Sequence, residues 1–220
     1  MTMNLDRMER PIAVESGTTG GRKDGGRIRM PRLRVGALIA RQDLLTIFGP
    51  SVSVPDPDQL IHLQFRRFAG CPVCNLHLRS FVLRHKEIVA ASIAEIIVFH
   101  STAEELLVYE ADLPFDVIAD PDRELFARFG VESGVRSLLN PLAWLPVLRA
   151  VYRSAWGIVR ERRPLPPLKP HGGRFGLPAD FLIGRDGRVL ACKYGAQAYD
   201  QWSVDEVLDL ARTCKIQPAS

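Results

Sequence analysis

Short apolar runs alternate with helical patterns along the chain from residue 60 onward. The apolar runs predict strands at five places: residues 60–65, 95–99, 115–119, 180–183 and 188–194. The segments between them predict four helices, which start at Cys71 to Cys74, after Ser101 and Thr102, at Arg123 and after Ser203. The first of these is expected to run through Ala90, because Pro72 suits a first helical position and apolar residues follow at helical spacing.

This order of elements indicates an α/β protein. Strands that alternate with helices favour a sheet with parallel pairs and helices on both faces. The dipeptide Asp186-Gly187 predicts a tight hairpin turn between the last two strands. The central sheet is therefore predicted to be mixed and flanked by helices, with a helical insertion before the C-terminal hairpin.

Glycine, proline and charge divide the chain into regions. Residues 1–32 are basic and glycine-rich and predict a disordered tail. The folded domain is expected to span residues 33–214, with an insertion at 135–175, and residues 215–220 form a short C-terminal tail. Inside the insertion, residues 138–159 are apolar on one face and carry arginines on another. Two interpretations stay open: a helix packed over the core, or a peripheral contact with a membrane or partner.

Composition narrows the functional classes. The chain has 220 residues, 46% of them hydrophobic and 25% charged, which is typical of a globular domain. Its net charge of +4 is modest and lies mostly in the tail, so no nucleic-acid partner is predicted. Four cysteines are few for a disulfide-stapled secreted domain, and the first 36 residues hold no apolar run of signal-peptide length. The cytoplasm is the expected location.

The strongest chemical signal is the segment F-R-R-F-A-G-C-P-V-C-N at residues 65–75. Cys71 and Cys74 follow a strand and open a helix, where backbone N–H groups favour a thiolate at Cys71. Cys74 lies one turn later and is placed to attack a mixed disulfide or sulfenic acid on Cys71. Arg66 or Arg67 adds positive charge, and strand alternation sends these two side chains to opposite faces.

Two other interpretations of the pair stay open. Cys71, Cys74 and His77, with His100 as a distant fourth ligand, have spacings compatible with zinc. Alternatively, both cysteines are buried and inert. The chain has no second C-x-x-C or H-x-x-x-H motif, so redox chemistry is favoured over a metal site. Cys192 and Cys214 are expected to be non-catalytic.

Pro178 is a further candidate because it directly precedes the strand predicted at 180–183. A proline lacks the N–H that a sheet needs, so the start of a strand is one ordinary place for it. The functional alternative is a cis proline packed beside the reactive cysteine, which leaves backbone groups open to substrate.

Three segments resemble one family. Residues 65–75, 115–121 (with 129–131 after them) and 176–187 are similar, in this order, to the AhpC/TSA peroxiredoxin-like family of the thioredoxin-like superfamily, and to its CxxC-containing peroxiredoxin-like 2 branch. The resemblance covers about residues 35–212. It implies a thioredoxin-like fold, an attacking cysteine at Cys71 and a partner at Cys74. It also implies a site arginine at Arg67 and a cis proline at Pro178, and neither cofactor nor metal.

The chain departs from the family at two positions. Typical members carry a proline seven residues and a threonine three residues before the first cysteine, where this chain has Gln64 and Phe68. The threonine hydroxyl orients peroxide, whereas disulfide exchange does not need it. The resemblance thus implies a thiol-dependent antioxidant oxidoreductase that reduces peroxides, disulfides or both. A thioredoxin-like protein or a low-molecular-weight thiol would be its reductant. The alternative is a non-catalytic zinc-binding or membrane- or partner-docking module.

Overall fold

The computed structural model describes residues 23–24, 27–28, 31–131 and 176–216, except residue 198. Most of the predicted 1–32 tail, the whole 135–175 insertion with its 138–159 segment, and residues 217–220 lie outside this part. The proposed domain limits therefore stay a prediction. Two short strands in the tail, β1 (Lys23–Asp24) and β2 (Arg27–Ile28), pair with each other in antiparallel fashion.

A five-stranded mixed sheet forms the centre of the protein. Its strands are β5 (Leu60–Arg66), β6 (Ile93–Phe99), β7 (Asp116–Ala119), β8 (Ala179–Ile183) and β9 (Val189–Tyr194). They lie in the order β7-β6-β5-β8-β9. The β5–β6 and β6–β7 pairs are parallel, and the β5–β8 and β8–β9 pairs are antiparallel. The predicted mixed sheet is confirmed, and its five strands lie within a few residues of their predicted places.

Five helices are present in the described residues, and they cover both faces of the sheet. They are α1 (Pro72–Leu83), α2 (His85–Ala90), α3 (Ala103–Tyr109), α4 (Glu124–Arg128) and α5 (Val204–Ile216). The predicted caps are confirmed. Thr102 accepts from the Glu105 N–H, and Ser203 and Glu206 accept each other's backbone N–H as a capping box. Among these elements, no helix combines the length and apolar character needed to cross a membrane.

The helix expected to continue through Ala90 is two helices. Arg84 leaves helical geometry, with φ −111° and ψ 17°, and separates α1 from α2. Its side chain bonds the Glu87 carboxylate in α2 and lies 2.6 Å from Asp205 Oδ1 in α5. The break therefore falls where three helices meet.

A hairpin precedes the central sheet. It consists of β3 (Gln42–Leu45) and β4 (Ser51–Val54), which pair in antiparallel fashion. The Ile47 N–H donates to the Val117 carbonyl at 2.9 Å and joins the hairpin to the edge strand β7. Buried Leu44 and Val54 add apolar surface to the core on that side.

Strand alternation divides the apolar core into two layers. On one face of the sheet, Leu60, Ile97 and Leu182 pack against Phe81 of α1 and Val207 of α5. The opposite core contains residues of β5, β6, β8, α4 and the N-terminal hairpin: Ile61, Leu63, Phe65, Val98, Phe126, Phe181 and Val54. The C-terminal end of β5 lies between these layers, and the cysteine segment begins there.

Candidate active site

The cysteines lie where β5 passes into α1. Cys71 is the residue that precedes the helix, with extended backbone angles of φ −62° and ψ 115°, and Pro72 takes the first helical position. The Cys71 N–H donates to the Phe68 carbonyl at 3.2 Å, while its own carbonyl accepts from the Asn75 N–H at 2.9 Å. Cys74 therefore lies in the first turn of α1, beside Cys71. This local geometry is the one that the sequence predicts.

Both sulfurs are enclosed. Cys71 and Cys74 are free thiols with 0% and 1% of their surface exposed. Arg67, also buried, brings its Nη2 atom to 3.0 Å from the Cys71 Sγ. Phe68 and Val73 complete a small buried cluster with the two cysteines. A reagent therefore reaches either sulfur only when one of the groups around them moves.

The two thiols pack against each other, and their contact separates their acidities. The contact with Cys71 lowers the pKa of Cys74 to about 5; burial opposes this shift, and the positive charge of Arg67 supports it. Burial raises the pKa of Cys71 well above its usual value, and the neighbouring Cys74 adds to that rise. The pair consequently loses its first proton from Cys74.

This order of acidity is the reverse of the one expected from helix position. The Cys71 sulfur makes no capping hydrogen bond to the helix. The Cys74 backbone and Arg67 favour a Cys71 thiolate, but burial and the adjacent Cys74 outweigh them. Because the two side chains are in contact, transfer of a single proton from Cys71 to Cys74 would move the thiolate to Cys71.

Residues that flank α3 at both ends hold the loop that leads to Cys71, and sequence reasoning missed these contacts. The Ala69 N–H donates to Ser101 Oγ and the Gly70 N–H donates to Glu110 Oε1, both at 3.0 Å. Gly70 has a positive φ of 71°, and a Cβ atom there would lie 2.8 Å from the Tyr109 ring. A side chain at this position is thus excluded both by conformation and by space.

The Glu110 contact predicts a loss of stability on substitution. Glu110→Ala should lower the free energy of unfolding by about 1–3 kcal/mol, because the buried Gly70 N–H loses its acceptor. Glu110→Gln keeps an acceptor oxygen and should lose less than half as much. Urea unfolding followed by circular dichroism measures both, with Glu104→Ala on the exposed first turn of α3 as the control. Equal losses in the two Glu110 variants would contradict this role.

The remaining candidate zinc ligands do not join the pair. His77 packs on Phe81, with ring centroids 5.0 Å apart, and its Nε2 lies 3.5 Å from Arg66 Nη2. Burial, assisted by the Arg66 charge, lowers the pKa of His77 to about 3. His100 donates its backbone N–H to the Arg67 carbonyl and stacks edge-on against Phe126. In the part of the chain that the structure describes, no group of three or more His, Cys, Asp or Glu side chains could hold a metal ion. These residues therefore do not form the alternative zinc site.

Pro178 lies close to the site, but its peptide bond is not the expected one. Among the described residues the only cis bond joins Val54 to Pro55, so the prediction of a cis bond before Pro178 is wrong. Phe65 pairs with Ala179, and one further step of this antiparallel register brings Pro178 beside Arg66. Its carbonyl accepts from the Gly195 N–H at 2.9 Å, which is the ordinary role of a proline at a strand start.

The segment just before Pro178 borders the site more closely. A Cβ atom at Gly176 would lie 3.6 Å from Arg67 Cγ and 3.4 Å from His100 Nε2.

The other two cysteines lie elsewhere: Cys192 on β9, with its sulfur 3.7 Å from the Leu33 carbonyl, and Cys214 on α5. Burial raises the pKa of both of these thiols.

Comparison with known proteins agrees with this fold. The model of the AhpC/TSA antioxidant enzyme family matches residues 80–197, just over half of the chain, beginning six residues after Cys74. No curated protein gives a significant match.

Solved structures with low identity share the fold. Peroxidoxin BcpB from Mycobacterium tuberculosis is 18% identical with a TM-score of 0.54, over 83% of this chain and 98% of that one. PrxQ from Xylella fastidiosa is 13% identical with a TM-score of 0.59, over 84% and 99%. A candidate thiol:disulfide interchange protein DsbE from Chlorobium tepidum is 17% identical with a TM-score of 0.50, over 84% and 99%. The chain therefore belongs to the AhpC/TSA antioxidant enzyme family and has its thioredoxin-like fold.

Proposed function

We propose that the protein is a thiol-dependent oxidoreductase whose redox pair is Cys71 and Cys74. The observation that carries this proposal is the contact of the two thiols at the start of α1, with Arg67 Nη2 3.0 Å from Cys71 Sγ. Membership of the AhpC/TSA antioxidant enzyme family supports thiol redox chemistry in general. The pair supplies the two electrons that such chemistry requires.

Cys71 is the attacking residue in this proposal. The Cys74 thiolate accepts the proton that Cys71 donates to it, which leaves the negative charge on Cys71 beside Arg67. Cys71 precedes the helix, whereas Cys74 lies inside its first turn, so the Cys71 sulfur is the nearer of the two to the loop. Arg67 then stabilises the nucleophile and the negative charge that develops on the leaving group.

The electron balance is the same for either oxidant. With a peroxide, the Cys71 thiolate attacks one oxygen, the O–O bond breaks and an alcohol or water leaves, and a sulfenic acid remains on Cys71. With a disulfide, the thiolate forms a mixed disulfide and releases one thiol. Cys74 next attacks the Cys71 sulfur, which releases water or the second thiol. An external dithiol of a thioredoxin-like protein, or two molecules of a small thiol, then reduces the Cys71–Cys74 disulfide and is itself left as a disulfide.

The side chains around Cys71 favour disulfide exchange over peroxide reduction. Phe68, three residues before Cys71, packs in the cysteine cluster and offers no hydroxyl to orient a peroxide. Arg67 is the polar side chain that contacts the Cys71 sulfur. The fold itself does not separate the two activities, because a peroxiredoxin and a thiol:disulfide interchange protein both share it. A reducing compartment such as the cytoplasm, expected from the sequence, would keep the pair in its dithiol form.

Peptide mapping tests the proposal directly. Reduced protein is treated with one equivalent of hydrogen peroxide or of oxidised glutathione, then alkylated, digested and analysed by mass spectrometry. We expect the peptide that carries Cys71 and Cys74 to lose two hydrogens as the disulfide forms. Cys192 and Cys214 are internal controls and should stay alkylated. Oxidation that starts at Cys192 or Cys214 and spares the pair would overturn the proposal.

A further inference from the structure

A chain of charged and polar side chains is buried beneath α1. His62, Gln64 and Arg66 occupy alternate positions of β5 and therefore point to the same face of the sheet. Glu95 of β6 and Asp180 of β8 join them there. All five side chains are fully or almost fully buried. Three neighbouring strands of the central sheet thus contribute to one polar cluster inside an apolar layer.

Each charge in this cluster meets an opposite charge. Arg66 Nη2 lies 2.6 Å from Asp180 Oδ1. His62 bridges both acids, with Nε2 3.3 Å from Asp180 Oδ1 and Nδ1 2.8 Å from Glu95 Oε2. Gln64 links the remaining two residues by hydrogen bonds: its amide nitrogen donates to Glu95, and its amide oxygen accepts from Arg66.

His62 and Asp180 are both charged at neutral pH. Burial opposes a charge on His62, but Glu95 and Asp180 raise the pKa of His62 to about 9. Burial likewise opposes a charge on Asp180, yet Arg66 and His62 hold the pKa of this carboxyl below its usual range. Buried ion pairs of this kind are often no more stabilising than apolar residues of equal volume. Stability alone therefore does not account for these buried pairs.

Arg66 connects the cluster to the cysteine helix. Its Nη2 lies 3.5 Å from His77 Nε2, and His77 follows Cys74 by three residues on α1. His77 is neutral at physiological pH, so its ring nitrogen is free of positive charge and can accept from the guanidinium. The positive charge of Arg66 also favours the thiolate of Cys74, while Asp180 offsets that charge from the other side.

We propose that Arg66 and Asp180 are positioning residues that set the reduction potential of the Cys71–Cys74 pair, an inference that rests on the proposed function. The reduced pair carries a thiolate and the disulfide carries no charge. A positive charge beneath the first turns of α1, where Arg66 reaches His77, therefore stabilises the reduced form, and a negative charge there destabilises it. Asp180 weakens the stabilisation of the reduced form, because its carboxylate offsets the positive charge of Arg66. Removal of either partner should shift the potential, and the two removals should act in opposite directions.

The test measures the equilibrium with glutathione. Full-length protein is equilibrated at neutral pH with mixtures of reduced and oxidised glutathione, in which the pair is oxidised as one glutathione disulfide becomes two thiols. The samples are quenched with acid and alkylated, and the disulfide fraction is measured by mass spectrometry. Asp180→Asn should lower the equilibrium constant for disulfide formation by at least about threefold, because it leaves Arg66 without its anion. Arg66→Met should raise that constant by a similar factor, and a tenfold change equals about 30 mV.

Matched variants separate charge from structure. Arg66→Lys keeps the charge without the planar hydrogen bonds and should stay within about twofold of wild type. Asp209→Asn removes a carboxylate from the exposed side of α5 and should have no effect. A structural defect would shift the equilibrium constant for disulfide formation in the same direction in Asp180→Asn and Arg66→Met. Shifts of opposite sign therefore indicate an effect of charge. If Arg66→Met does not fold, Arg66→Gln replaces it as the variant without the positive charge, and its shift must again be opposite in sign to that of Asp180→Asn.

The outcomes also distinguish this inference from the proposed function. If wild-type protein forms no Cys71–Cys74 disulfide at any glutathione ratio, the proposed function itself fails. If wild type forms the disulfide but both variants agree with it within about twofold, or both shift the same way, only the inference is overturned. An Asp180→Asn protein that is more easily oxidised than wild type would also overturn it.

Discussion

Replacement of Cys71 by serine is expected to reduce turnover with peroxide or disulfide by at least about a thousandfold. A serine hydroxyl does not ionise at neutral pH, so residue 71 would offer no thiolate to attack the oxidant. Single-turnover kinetics with hydrogen peroxide and with oxidised glutathione measure this loss. Cys214→Ser is the matched control, because this cysteine lies on α5 outside the buried pair, and it should keep the wild-type rate.

Replacement of Cys74 should have a different outcome. Cys74→Ser lacks the residue that resolves the first product, so it should react once and stop as a mixed disulfide or an overoxidised Cys71. Intact-protein mass spectrometry distinguishes these adducts from the wild-type disulfide. Because Cys74 is the more acidic thiol, the experiment also tests whether Cys74 rather than Cys71 attacks first. If Cys71→Ser formed the trapped adduct and Cys74→Ser did not react, the two roles would be exchanged.

Much of the fold could be predicted because its signals are local. Each central strand has an apolar run of strand length, and Ser203 with Glu206 marks the last helix by a capping box. The hairpin at Gln42–Leu45 and Ser51–Val54 gives no such signal, since its strands have four residues each and are partly polar. Its position depends on the packing of Leu44 and Val54 against the second core, which is a tertiary effect.

The candidate site likewise combines contacts that the local sequence predicts with contacts that only the tertiary fold creates. Cys71, Cys74 and Arg67 lie within eight residues, so a strand followed by a helix brings them together and the pattern predicts their contact. Glu110 and Asp180 reach the site region only through the parallel crossovers and the β5–β8 pairing, which no local pattern specifies. The order of acidity within the pair depends on burial and on the contact between two sulfurs, and neither is readable from spacing.

Arg67 should control the pH range in which the pair reacts. Its guanidinium lies 3.0 Å from Cys71 Sγ and contributes to the low pKa of Cys74. In wild type, the reduced pair should gain its first thiolate as the pH rises through about 5. Without the positive charge, the anion in this buried cluster is less stable, so the pKa of Cys74 should move upward by at least about one unit in Arg67→Met.

The sign of this shift gives a specific test. Absorbance of the reduced protein at about 240 nm, where thiolates absorb, is followed from acid to neutral pH, and its midpoint should be higher in Arg67→Met. The rate of reaction with oxidised glutathione should fall most near pH 6, where wild type has lost its first proton and the variant has not. At pH 9 the gap should narrow because both proteins then carry a thiolate, and the loss that remains measures how far Arg67 stabilises the leaving group. Arg67→Lys retains a charge and should lie between them, whereas Arg212→Met, on the exposed side of α5, should match wild type. If Arg67→Met kept the wild-type midpoint, the acidity of the pair would have to come from the contact between the two sulfurs and from Arg66, and Arg67 would act on Cys71 only as a hydrogen-bond donor.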